Sequence, residues 1–142
     1  MGAASGVNGT LDVSIIGNGG VTALPAGATE LIAAGTGANS QITVTLPAAP
    51  GRTTYLTALH ITATGATTAG SVVATAYLAG SALTLSWVFA FAGNANTGAT
   101  PLILAFSDAV SAGGPNAVIQ VILPALGAGN NHAAVNVMGY QL

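Results

Sequence analysis

The sequence predicts an all-β protein, a sandwich or barrel of eight or nine short strands. Short runs of Val, Ile, Leu and Thr recur along the chain, separated by Gly, Asn, Pro and Ala. Several runs alternate apolar and polar residues with a period of two. No segment keeps a helical period over three turns, because Gly and Thr break up the Ala-rich stretches.

The elements follow in order. Residues 1–10, rich in Gly, Ala, Ser and Asn, read as a flexible N-terminal arm ahead of a single domain over residues 11–142. Strands are expected at Leu11–Ile16, Thr29–Ala33, Ser40–Leu46, Thr53–Thr64, Ser71–Leu78, Leu83–Phe91, Pro101–Phe106, Ala117–Leu123 and His132–Gln141. Turn signals lie between them at Gly17–Gly20, Gly35–Gly37, Pro47–Gly51, Ala79–Ser81, Gly93–Asn94, Gly113–Asn116 and Gly127–Asn131. In Leu83–Phe91, Leu83, Leu85, Trp87, Phe89 and Phe91 form one face, the clearest half-buried strand in the chain. The tight turn at Ala79–Gly80 joins it to Ser71–Leu78 as a hairpin. In Ser40–Leu46, Ile42, Val44 and Leu46 face inward. Ala117–Leu123 is apolar on both faces around Gln120. It is therefore central in its sheet, or covered on its second face by another subunit.

Composition limits the function classes. Only four side chains are charged among 142 residues, Asp12, Glu30, Arg52 and Asp108, while 51% are hydrophobic. Ordinary domains draw about a quarter of their residues from Asp, Glu, Lys and Arg. A chain that gives up this charge has a surface of Thr, Ser, Asn, Gly and Ala, suited to life in an assembly. The net charge of -2 argues against direct nucleic-acid binding and against attraction to anionic lipid. No apolar stretch approaches the ~20 residues of a spanning helix. No secretory signal is visible, and Met1-Gly2 lacks the Ser or Thr of a myristoylation site. Without cysteine there is neither a disulfide framework nor a thiolate metal site.

Catalytic groups are scarce. General acid–base work needs a positioned His or carboxylate, and only Asp12, Glu30, Asp108, His60 and His132 exist. His60 lies mid-strand on a face read as also carrying Leu56 and Ala58, which suits an interface or core-edge position. His132 reads as a loop residue. No spacing of His and carboxylate supports a metal site, and no Gly-x-Ser-x-Gly elbow is present. Gly35-x-Gly37-x-x-Ser40 lacks the third glycine and the helix of a dinucleotide loop. Asn8-Gly9-Thr10 reads as a turn rather than a glycosylation site. The expectation is no catalytic residue, no cofactor and no metal. Arg52 is expected either to pair with Glu30, Asp12 or Asp108 or to anchor a contact between subunits. Arg52, His60 and Gln120 are the candidate interface residues.

A resemblance adds to this reading. Tyr55-Leu56-Thr57-Ala58-Leu59-His60-Ile61-Thr62, Pro101–Phe106, Asn116–Ala125 and Asn136-Val137-Met138-Gly139-Tyr140 together resemble the jelly-roll decoration, or cement, proteins of tailed bacteriophage capsids. The resemblance covers about Arg52 to Leu142. It implies an all-β fold, an antiparallel β-sandwich (jelly roll), in a non-enzymatic protein of the virion. Such a protein sits as a dimer or trimer on the outer capsid surface and bridges copies of the major capsid protein. It transfers no individual functional residue. Two other readings remain open: a trimeric head- or tail-fibre tip that binds a receptor, and a self-assembling jelly-roll shell protein.

Overall fold

A computed structural model describes residues 23–142. The expected arm at residues 1–10 and the expected strand Leu11–Ile16 lie outside the described residues. The remaining eight expected strands all form: β1 (Thr29–Gly37), β2 (Ile42–Leu46), β3 (Thr53–Ala63), β4 (Gly70–Leu78), β5 (Leu83–Phe91), β6 (Leu102–Pro115), β7 (Ile119–Leu123) and β8 (Ala133–Gln141). They build two antiparallel four-stranded sheets. Sheet A has the order β1-β8-β3-β6 and sheet B the order β2-β7-β4-β5. Facing each other, the two sheets form a β-sandwich.

The pairing follows one rule. β1 pairs with β8, β2 with β7, β3 with β6 and β4 with β5. The first half of the chain thus runs back along the second half as one long antiparallel ribbon. Alternate pairs of that ribbon go to alternate sheets. Two further pairings, β3 with β8 and β4 with β7, complete the sheets. Only the β4–β5 connection stays within one sheet. It is the hairpin expected at Ala79–Gly80, with Leu78 opposite Leu83.

Alternation decides the core. Ile42, Val44 and Leu46 are buried on β2, and Ile119, Val121 and Leu123 on β7. Leu56, Leu59 and Ile61 of β3 and Val135 and Val137 of β8 meet them from sheet A. Fully burying each such side chain contributes roughly 1.5–3 kcal/mol. Phe89 and Phe91 are buried on β5 as expected, while Trp87 is half-buried. Its ring lies 6.1 Å from that of Phe106 and closes the gap between edge strands β5 and β6. β7 lies between β2 and β4, one of the two positions expected for it.

Three expectations need correction. β1 continues through Gly35–Gly37, read as a turn, and stays paired with β8 to its end. An added Cβ at Gly35 would lie 2.9 Å from Ile42, so glycine serves close packing there. β6 does not stop at Phe106 but runs to Pro115, through the glycines read as a turn. Gly113 has φ +99° and lies against Ser81, where no side chain fits, so the strand bulges instead of ending. Lastly, Leu56 does not share a face with His60. Register slips between Leu56 and Ala58, and Thr57 and Ala58 both point away from the core. A one-residue bulge inverts the face of every residue before it. Leu56 is therefore fully buried, whereas His60 stands on the outer face with Ala58.

Candidate functional site

The bulges of β3 and β6 shape the outer face of sheet A. Four residues of β6, Phe106 to Ala109, stand opposite the single Thr57. Of these, Phe106, Ser107 and Ala109 form one wall of a groove of about 500 Å³. Leu24 and Pro25 form the other wall, and Ile32, Ala58 and Met138 lie between. Tyr140 lines one end and stacks on Tyr55, with ring centroids 4.9 Å apart. Among the described residues Glu30 is the one charged residue of the lining, and neither His60 nor His132 reaches it. The hydroxyls of Thr57 and Ser107 therefore have no imidazole beside them to act as base. The groove is mainly apolar, with one carboxylate in its lining.

The candidate residues Arg52, His60 and Gln120 are not brought together. Arg52 precedes β3 and acts within the chain. Its Nη1 donates to the carbonyl of Gly27 at 3.2 Å, to Thr29 Oγ1 at 3.3 Å and to the carbonyl of Gln141 at 3.3 Å. Among the described residues, none of its hydrogen bonds goes to Glu30 or Asp108; Asp12, the third partner expected for it, lies outside the described residues. The guanidinium fork clasps the start of β1 to the end of β8 through neutral oxygens. His60 stands half-exposed on the outer face of sheet A, with Asn136 and Ile103 as its cross-strand neighbours. Gln120 stands on the outer face of sheet B, between Thr45 and Tyr77. The two residues face opposite sides of the sandwich. His132 is exposed just before β8. Among the described residues no group of three or more His, Cys, Asp or Glu could hold a metal ion, and no helix is long and apolar enough to cross a membrane.

The polar residues that matter most inside the fold were not singled out by sequence. Asn130 is buried, and its Nδ2 donates to the carbonyls of Thr64 at 2.8 Å and His132 at 3.1 Å. Its Oδ1 accepts from the Asn39 amide at 3.0 Å. It thereby locks three connections at one end of the sandwich. The Pro47 carbonyl accepts from Thr54 Oγ1 at 2.9 Å and from Gln141 Nε2 at 2.7 Å, which satisfies two buried polar side chains. Nothing in the local sequence marks these residues, because most of their partners lie far away in the chain.

The outer face of sheet B is of another kind. It carries Thr43, Thr45, Ser71, Val73, Thr75, Tyr77, Thr84, Ser86, Val88, Ala90, Gln120 and Ile122. None is charged, and no strand of sheet B contains Asp, Glu, Lys, Arg or His. Compared with known families, curated proteins and solved structures, the chain finds no match in any of the three.

Proposed function

We propose that this chain is a non-enzymatic structural protein of a virus particle, a jelly-roll decoration protein that binds the outside of a phage head and bridges its capsid subunits. The observation that carries the reading is the uncharged outer face of sheet B. A surface of Thr, Ser, Val and Gln can be buried against a neighbour without desolvating a charge. Such a face does little for the solubility of a free monomer. The strand orders β1-β8-β3-β6 and β2-β7-β4-β5 support the jelly roll, in which one ribbon folds across two sheets. A cement of this kind stabilises a shell by binding the assembled lattice and not its free subunits. Many copies then act together through avidity.

The test is copy number in purified virus particles, by quantitative mass spectrometry against the major capsid protein. One copy per capsid subunit, or a simple fraction of that, is expected. A handful of copies per particle would assign the chain to a fibre instead. Absence from the particle would overturn the virion reading altogether.

A further inference from the structure

The sandwich has four edge strands, and exposed edges invite pairing with another chain unless something blocks them. Three of the four are guarded. β2 is only five residues long. β1 carries the charge of Glu30. β6 loses register with β3 twice, carries Asp108 and ends at Pro115. Among the described residues β5 has no such guard. It runs for nine residues without charge or proline, in unbroken register with β4 from Leu83 to Phe91. Leu83 is 59% exposed and Val88 66%.

We propose that β5 pairs antiparallel with β5 of a second copy, joining two copies of sheet B into one eight-stranded sheet. A two-fold axis at Trp87, the middle of the strand, brings the whole edge into register. Ser86 then meets Val88 and Thr84 meets Ala90 on the outer face. On the inner face Leu85 meets Phe89 and Leu83 meets Phe91. Aromatic–aliphatic pairs of this kind stabilise antiparallel sheets, and no like charges are opposed. The pairing is isologous, so one strand supplies both halves of the contact. A strand without charge has nothing with which to select a charged foreign partner and nothing with which to repel its own copy. The dimer does not depend on the capsid reading, because it forms in solution without any capsid.

The full chain is examined by sedimentation equilibrium across a concentration series. The expected mass is that of two chains, and Val88→Lys is expected to reduce it to one. Thr62→Lys makes the same charge change on the outer face of sheet A and is expected to leave the dimer intact. Native circular dichroism confirms that each variant folds, and Ser86→Lys replaces Val88→Lys if that variant does not. Hydrogen exchange gives a second readout: β5 amides protected in the wild-type protein exchange faster in the edge variant. The sole tryptophan, Trp87, lies on the proposed axis, so its emission should shift with dissociation. A monomeric wild-type protein overturns the proposal. So does association that Val88→Lys and Thr62→Lys affect alike, or that neither affects.

Discussion

Sheet A slips register at Thr54 and Thr57, whereas sheet B keeps register along every pair of strands. Among the described residues, the charged side chains and histidines divide the same way. Glu30, His60 and Asp108 lie on strands of sheet A, and Arg52 and His132 directly precede two of them. Sheet B has none. The bulges widen and bend sheet A, raise the wall of the groove and set Asp108 on an edge strand. The regular pleat of sheet B leaves an uncharged outer face and, among the described residues, an uncharged edge strand. Both sheets contribute to the same core, so they differ in what they present outward rather than in what they bury. One sheet is shaped and protected, and the other is suited to being covered.

The comparison can be broken at several strengths. The largest effect should come from the shared core. Leu59→Ala in sheet A and Leu123→Ala in sheet B each remove a fully buried side chain. Each should cost about 2–5 kcal/mol in guanidinium unfolding, since the surroundings collapse only in part. Similar losses are expected, and a large loss from one with little from the other would mean that the sheets do not share one core.

Next comes Gly139→Ala. Gly139 lies opposite Leu56, beside the β3 bulge, and a Cβ there would run into the carbonyl of Tyr55. The clash is with backbone, so the bulge itself must shift, at a cost of roughly 1–3 kcal/mol. Ala74→Gly, at a buried central position of sheet B, removes a side chain without a clash and should cost less. Thermal unfolding of the two variants ranks them, and the opposite order would undo the claim that the bulge is tightly constrained.

The smallest effect is expected at Asn130→Ala. It leaves the Asn39 amide and the Thr64 carbonyl without their side-chain partner, at a cost of about 1–2 kcal/mol. Hydrogen exchange should speed up at that end of the sandwich while the β4–β5 hairpin keeps its protection. Uniform loss of protection would show that the Asn130 lock is not local.

The strands of sheet B were easier to read than those of sheet A. β5 was found at its observed ends, and Ile42, Val44 and Leu46 on their observed face, because a period of two survives wherever register is unbroken. Sheet A defeated the same rule at particular residues. The Thr57 bulge moved Leu56 to the face opposite His60. Gly113 and Gly114, locally indistinguishable from a turn, lie inside β6 because its neighbours hold them there. The oxygens Arg52 binds, on Gly27, Thr29 and Gln141, were not among its expected partners, because they lie as many as 89 positions away and carry no charge.

The sequence alone was enough to determine that this is an all-β chain of short strands, where the centres of the eight described strands lie, and that the chain is almost without charge. These properties are local or additive, as residue type and period set them. Only the tertiary structure decided how strands pair across the whole chain length, where the bulges fall and which outer face receives the charged groups. Pairing is a contact between distant segments, and a bulge is stable only when its partner strand and the packed core accept the extra residue. The division into a bulged, charged sheet A and a regular, uncharged sheet B therefore exists only in the folded protein.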